Sequence, residues 1–471
     1  MAAAPEQLHQ PGVGGAAATA SSVFSSPPAV RVLDTALVHP SSGPAMPEET
    51  SLPLTFFDVS WVPAPPVQRV FFYRLAPDAD ADAVLANLRA ALSHAVRAFF
   101  PLAGRLRLTP GTTNRYELHY SPDDAVAFTV AECDDDFDSL AADEPREVAK
   151  LAPLAPPLPD GGAVLALQAT LLPAREGHGL ALGVTVHHAA CDGAASTHFL
   201  RSWAAAACRT APPPPPPVIN RNLVSDPRGL YDIFCPATGK TAEDMGFVAI
   251  PDDQLLATFT LSRAHLQRVK DAVAAAAATQ GGAPPPRCTS LVASLGFVWS
   301  CYQRAKPRGG CGEPDRSCLL FSVDHRSRLK PPLPQEYFGN CVASAFAIAS
   351  SSELAEAGAG GLLTACTAIA AGIEDAVSGV ATETMGERQG RFNEVAAMVG
   401  VLPVAGSPRF RVYDLDMGFG RPAKVDVVSA AKTGAVAVAE SRAGDGGMEV
   451  GVSLTPDGMD AFRNAYKGEL D

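Results

Sequence analysis

In the stretch GVTVHHAACDGAAS, residues 183–196, two histidines, a cysteine and an aspartate stand close together. An imidazole whose ordinary pKa lies near neutrality can take and return a proton. A nearby thiol can act as a nucleophile. Two histidines and a carboxylate can hold a metal. Three chemistries therefore compete: a metal site built from His187, His188 and Asp192, a Cys191–His enzyme, and a lone general base, His188, in a turn shaped by Asp192 and Gly193. The plain alternative is a histidine buried for packing, which composition alone favours. The metal reading is the weakest. The HExxH geometry needs a helix, and on a strand His187 and His188 point to opposite faces. No metal ligand is assigned. Nothing adjacent to Cys191 lowers its pKa, so the thiol reading takes second place.

The flanking pattern sets where these residues stand. GLALGVTV, before the motif, reads as a short buried strand, and AASTHFLRSWAAAACR, after it, is rich in helix formers. His188 is thus expected at a strand exit, and Asp192 and Gly193 at a helix entry, where Asp192 can cap or pair with a distant arginine. Upstream, VQRVFFYRL reads as a strand and ADAVLANLRAALSHAVRAFF as an amphipathic helix. PLAGRL ends that helix in a turn, and YELHY and AVAFTVAE read as strands. Downstream, ATFTLSRAHLQRVKDAVAAAAA reads as a strand, a Ser262 cap and a helix. TSLVASLGFVWSCYQRAK reads as a helix, SCLLFSVDHRSRL as a strand running into a basic turn, and AVAVAES and MEVGVSL as the last strands. Strand and helix alternate in both halves, which predicts two α/β lobes.

The chain has 471 residues, too many for one ordinary core. Residues 1–28 read as a disordered leader without the basic start and apolar centre of a signal peptide. Residues 29–208 form the first expected lobe and 251–471 the second. Between them APPPPPPVIN opens a proline-rich linker, 209–250, expected to stay extended outside any core. The net charge of −13 argues against nucleic acid or an anionic membrane as partner. No run of 18 uncharged apolar residues appears. Ten cysteines without a CxxC pair or a zinc spacing read as reduced thiols of a cytosolic protein, expected to be a monomer.

An ordered set of motifs then narrows the choice. H-x-x-x-D-G after a strand resembles the signature of the plant BAHD acyltransferases. LPLTFFDVSW, PPVQRVFFY, FFPLAGRL and SDPRGL resemble further family segments, in order. YFGNC (Tyr337 to Cys341) resembles the signature of the subgroup that acylates flavonoid and phenolic glycosides, often from malonyl-CoA. DMGFG (Asp416 to Gly420) stands where the family carries D-F-G-W-G.

The resemblance implies two chloramphenicol-acetyltransferase-like lobes joined by a long crossover loop, with a channel between them. It implies an acyl-CoA co-substrate and no permanently bound cofactor. His188 would deprotonate the acceptor hydroxyl, and Cys191 would be a bystander. Asp192 would pair with an arginine, with Arg326 and Arg328 of VDHRSR as the candidates. Thr289 and Ser290, at a helix start, match the region that contacts CoA; a helix N-terminus suits an anion, and an ordinary N-cap is the plain alternative. Asp416 would be either a second catalytic position or a structural one, with Gly418 and Gly420 permitting a tight bend. Phe419 replaces the family's tryptophan, so an indole N–H that served an oxyanion would be missing. The acceptor expected is a phenolic or flavonoid glucoside and the donor malonyl-CoA. A hydroxycinnamoyl donor is the runner-up, and a catalytically weak protein that keeps the CoA channel is the alternative from another class.

Overall fold

In a computed structural model, the described residues are 30–43, 46–209, 212–235, 253–280, 286–306, 315–382, 390, 394–395 and 401–470. The expected leader, residues 1–28, and the linker's residues 236–250 lie outside them.

The strands of the first half are β1 (Arg31–Val38), β2 (Thr50–Pro53), β3 (Val67–Arg74), β4 (Arg105–Leu108), β5 (Tyr116–Tyr120), β6 (Val126–Glu132), β7 (Arg146–Glu147), β8 (Leu165–Pro173) and β9 (His178–Val186). Those of the second half are β10 (Leu255–Leu261), β11 (Ser317–Asp324), β12 (Val342–Ala349), β13 (Val401–Gly406), β14 (Lys424–Val427), β15 (Val436–Glu440) and β16 (Met448–Leu454). The long helices are α1 (Ala81–Ala98), α2 (Gly193–Cys208), α3 (Arg263–Gln280), α4 (Ser290–Ala305), α5 (Ala359–Thr382) and α6 (Pro456–Leu470). A six-stranded sheet runs β1-β6-β8-β9-β3-β14 and a seven-stranded sheet β12-β11-β13-β15-β16-β10-β7; β2, β5 and β4 form a small third sheet.

Each lobe is built on an apolar pattern. On β3, Phe71 and Tyr73 face the core shared with α1 and α2, while Val70 and Phe72 face a second cluster with Phe137 and Leu151. Both faces are covered, which is why this strand reads as an unbroken apolar run. Asp80 starts α1 by accepting from the N–H groups of Asp82 and Ala83, and Leu85, Leu88 and Leu92 then line its buried face. The second lobe packs α4 and α5 over its sheet, with Phe297, Trp299 and Ile369 fully buried. The segment Ala359–Ser378 is long and apolar enough to cross a membrane. Here Leu362, Ala365, Cys366 and Ile369 are core residues, and Gly372 lets α5 approach β12 so closely that a Cβ would overlap the Phe346 carbonyl.

The halves of the sequence are not the halves of the structure. β14, from the second half, closes the edge of the first sheet against β3, and β7, from the first half, closes the edge of the second sheet against β10. The exchanged strands are clamped together. Arg146 on β7 donates from both Nη atoms to the Asp426 carboxylate on β14, at 2.6 and 3.1 Å, with both side chains buried. Lys424, fully buried on the same strand, reaches Asp143 at 2.6 Å.

The linker expectation needs correction. The prolines 212–217 carry no regular structure and stay largely exposed. Directly after them the chain enters the packed structure: Val218 bridges to Tyr337, Arg221 is buried, and Leu230 and Tyr231 join the first core. Proline content marks where an extended segment starts, and side-chain burial decides where it ends.

Removing one member of a buried ion pair strands the other charge, whereas replacing both with apolar groups does not. R146M or D426L alone is therefore expected to lower the unfolding free energy by about 3–5 kcal/mol, and R146M/D426L to recover most of it. Urea unfolding of the four proteins measures this; an additive double variant would contradict the clamp.

Candidate active site

His188 leaves the end of β9 and precedes a tight turn that Asp192 closes by capping α2, accepting from the Ala195 N–H at 3.0 Å. The same carboxylate accepts two hydrogen bonds from Arg326, at 2.8 and 3.0 Å, and one from the Cys341 N–H at 3.0 Å. Arg326 is fully buried and also donates to the carbonyls of Tyr337 (3.2 Å) and Gly339 (3.1 Å). Of the two candidate arginines, Arg326 makes the pair. Arg328 lies exposed on the far side of its turn and donates to the Asp324 carbonyl, so its assignment to the site is withdrawn. Gly193 has a steric reason: a Cβ there would overlap the Phe410 ring.

The His188 ring is held from two sides. The Trp61 indole stacks on it, with centroids 3.8 Å apart and planes 13° from parallel. Nδ1 lies 3.1 Å from Asn340 Oδ1. The amide of Asn340 can face only one way, because its Nδ2 donates to Asp58 Oδ1 (2.9 Å) and to the His188 carbonyl (2.8 Å), both of which are acceptors only. Oδ1 is therefore the atom turned to the ring, and Nδ1 must carry the proton. The lone pair of the neutral imidazole is left on Nε2, which none of the described residues engages. Burial holds the imidazole below its ordinary pKa, outweighing the opposing charge of Asp192.

Asp58 is fully buried in its turn. It accepts from Thr55 N–H at 2.8 Å and Thr55 Oγ1 at 2.6 Å, from the Asn340 N–H at 2.9 Å, and from Arg221 Nη1 at 2.8 and 2.9 Å. Arg221 also donates to the Ala190 carbonyl at 3.0 Å, inside the HHAACD turn. The crossover segment after the prolines thus braces the site. Gly339, at φ +153, is pressed against Arg221, where a Cβ would overlap the guanidinium.

Asn340, Asp58, Arg221 and Trp61 were not singled out by their chemistry in the sequence. Their signals were the segments themselves: TFFDVSW supplies Thr55, Asp58 and Trp61, and every residue of YFGNC makes a contact at this site.

Three other expectations meet the geometry differently. Cys191 is buried, and burial, with the adjacent Asp192 charge, pushes its thiol up to about 12, which disfavours a thiolate nucleophile at neutral pH. His187, held down to about 4 by burial and the neighbouring His188, accepts the Ala189 N–H at Nδ1. No group of three or more His, Cys, Asp or Glu side chains converges as a metal ligand set among the described residues. At α4, Thr289 is the N-cap, accepting from Val292 N–H at 3.3 Å, and the Ser290 hydroxyl accepts from Lys270 Nζ at 3.0 Å.

Of the two roles open to Asp416, catalytic and structural, the geometry supports the structural one. Its Oδ1 accepts from the N–H groups of Gly418 (2.8 Å) and Gly420 (3.0 Å), folding its own loop, and both glycines have the positive φ this bend requires. That loop sits at the other end of α2. A Cβ on Gly418 would meet the carbonyl of Ala207, fourteen residues from Gly193, which is about 20 Å along a helix. Phe419 packs edge-on against Tyr73, which pairs with Leu180, about 20 Å down β9 from the Val186 end. A side chain there has no access to an oxyanion beside His188. The missing indole is a packing change and not a lost catalytic donor.

A transferase family model matches residues 29–468. Phenolic glucoside malonyltransferase 1 of Arabidopsis thaliana is 34% identical over 465 residues, covering 92% of this chain and 96% of that protein. Coumaroyl-CoA:anthocyanidin 3-O-glucoside-6''-O-coumaroyltransferase 1 of the same plant is 30% identical, covering 92% and 96%. The crystal structure of vinorine synthase superposes with a TM-score of 0.68 at 18% identity, covering 92% of this chain and 96% of that one. The two-lobe α/β fold, the HxxxDG turn at the junction of its lobes and a family match over almost the whole length agree: this chain belongs to the BAHD transferase family and is an acyltransferase.

Proposed function

We propose that the protein transfers a malonyl group from malonyl-CoA to a hydroxyl of a phenolic or flavonoid glucoside, with His188 as the general base. The observation that carries this reading is the His188 imidazole: half-buried, held below its ordinary pKa, its Nδ1–H engaged by Asn340 and its Nε2 lone pair unclaimed among the described residues. Nε2 takes the proton of the acceptor hydroxyl as its oxygen attacks the thioester carbonyl. The tetrahedral intermediate then collapses, the C–S bond breaks, and the imidazolium returns its proton to the leaving thiolate. Ester and CoA are released without an acyl-enzyme. Positioned base catalysis contributes roughly 10²–10⁴-fold, and holding both substrates together supplies much of the remaining acceleration.

Support for the malonyl donor comes from the relatives, where the phenolic glucoside malonyltransferase stands slightly above the coumaroyltransferase in identity. The coumaroyltransferase keeps a hydroxycinnamoyl donor as the second reading. For CoA, the start of α4 offers free N–H groups, and Lys270 beside Ser290 adds a positive charge suited to a phosphate; Thr289 serves mainly as the cap. None of the nine described cysteines forms a disulfide, which supports a reducing, cytosolic setting. A monomer suffices, since one chain supplies every site residue named.

Thiol release from malonyl-CoA and p-coumaroyl-CoA, each with a panel of phenolic and anthocyanin glucosides, tests the reading directly. Malonyl-CoA should give the higher kcat/KM; no release from any donor would overturn the assignment. H188A should reduce turnover by at least about 10²-fold while C191A leaves it unchanged, and the reverse would move the chemistry to the thiol.

Two further outcomes follow from the geometry. A base whose pKa is depressed stays unprotonated further into acid. The acid limb of kcat/KM should therefore fall below the ordinary histidine value near 6.5, with activity lost only as pH drops through that lowered pKa. N340A should cut kcat about 10–100-fold by freeing the ring and its tautomer, a loss of one or two tenfold steps in barrier. Initial rates between pH 5 and 9 measure both. F419W should bring no rate gain; a gain of tenfold or more would restore the oxyanion role denied to that position.

A further inference from the structure

Four arginines are buried among the described residues: Arg69, Arg146, Arg221 and Arg326. Three hold a carboxylate: Arg146 has Asp426, Arg221 has Asp58, and Arg326 has Asp192. Arg69 has none among the described residues. Its Nη2 donates to the Ser196 hydroxyl at 3.2 Å and its Nη1 to the Thr197 hydroxyl at 3.5 Å. Those hydroxyls are themselves committed as donors to the Gly193 carbonyl, at 3.2 and 2.7 Å. Neither carries the negative charge that a guanidinium removed from water requires. The price of that burial shows in the group itself, since desolvation lowers its pKa.

Its place gives the missing charge a source. Arg69 pairs with Val184 across β3 and β9, four residues before His188, and shares a sheet face with Phe71 and Tyr73. It reaches the first turn of α2, directly after the HxxxDG turn, and its charge is felt at both His188 and Cys191. The guanidinium carbon lies 5.8 Å from the centroid of Phe410, the ring that forbids a side chain at position 193. Arg69, Ser407, Phe410 and Tyr413 line one cleft between the lobes. Two carboxylates also line it, and both are occupied. Asp426 is held by Arg146, and Glu449 accepts from Tyr413 at 2.6 Å and from Arg442 at 2.7 and 2.9 Å. Arg69 is the buried cation in this cleft that meets no anion among the described residues.

We propose that Arg69 receives the distal carboxylate of the acyl donor, so that the pocket selects a dicarboxylic acyl group such as malonyl over a neutral one. The assignment rests on the reading of His188 as the base of a CoA-dependent transfer. It adds what that reading lacks, a group that distinguishes one donor from another. The planar fork offers two parallel N–H donors to a carboxylate, and a donor that lacks the carboxylate leaves the arginine without its charge partner.

The test compares malonyl-CoA with acetyl-CoA, which differs by that carboxylate, on one accepted glucoside with the full chain. The wild-type protein should prefer malonyl-CoA in kcat/KM. R69M keeps the length and removes the charge; it should lower the malonyl-to-acetyl ratio about 10–100-fold, mainly through the KM for malonyl-CoA, with acetyl transfer changed less than about threefold. Equal loss on both donors would mean a merely structural arginine and would overturn the assignment, as would an unchanged ratio. If R69M does not fold, R69K decides: it keeps the charge but not the fork, and should lose about 5–10-fold of the preference, an unchanged ratio again being contrary. A wild-type protein that transfers acetyl as well as malonyl would overturn the Arg69 assignment but leave His188 in place. One that transfers neither would overturn the acyltransfer reading itself.

Discussion

The site depends on one buried ion pair, Asp192 with Arg326. Four hydrogen bonds converge on the carboxylate, and they come from three places in the sequence: the first turn of α2, the turn after β11, and the YFGNC segment. Arg326 in turn binds two carbonyls of that last segment. Two charges this deeply buried add little net stability against an apolar replacement, but losing one of them costs about 3–5 kcal/mol. What the pair supplies is register. It fixes the HxxxD turn of one lobe against the loop of the other that carries Asn340, and the 3.1 Å contact between Asn340 and His188 exists only in that register. Asp192 thus acts on His188 through register, four residues away in the sequence.

A second consequence concerns the electrical state of the base. In a serine-protease triad the imidazole leans on a carboxylate, which favours its protonated form. Here the carboxylate, Asp58, is one step removed, and its charge is matched by Arg221 at 2.8 Å. The neutral amide between them fixes the tautomer and orientation without strongly favouring the imidazolium. Combined with burial, this keeps the proton affinity of His188 low. Such a proton affinity suits the base role proposed for His188, in which the proton would be held only briefly, between a hydroxyl that loses it and a thiolate that takes it.

The sequence made much of this visible. The strand before the motif and the helix after it follow from apolar runs and helix formers, and Asp192 behaves as the cap and arginine partner its position suggested. Ser262 caps α3 by accepting from the His265 N–H, as its place after a strand implied. What pattern could not give were contacts across long separations. Asn340 lies 152 positions from His188, and Asp58 lies 163 from Arg221. Strand alternation carries no information on which strand enters which sheet, so the exchange of β7 and β14 had no local signature. Arg326 and Arg328 are alike in sequence, and only the direction of the turn separates them. Asp416 misled because a motif's recurrence says that a residue matters, not how; its carboxylate is spent on two N–H groups of its own loop.

The strand exchange also decides how the two substrates meet. If each lobe were made from one half of the chain, a hinge in the crossover could open the cleft. Instead β14 is bonded to β3 in one sheet while its sequence neighbours β13 and β15 belong to the other, and β7 does the converse against β10. Opening the lobes would break the buried Arg146–Asp426 pair, which joins a strand of one sheet to a strand of the other. In the described part of the crossover, Arg221 is locked to Asp58 and Ala190. On the proposed reading, selectivity comes from what already lines the cleft. A preset cation costs less to use than one brought in by closure, because its position is part of the folding energy. On the proposed reading, a neutral base and a buried guanidinium without an anion among the described residues form one consistent design: the protein holds its charges before the substrate arrives, and the substrate completes them.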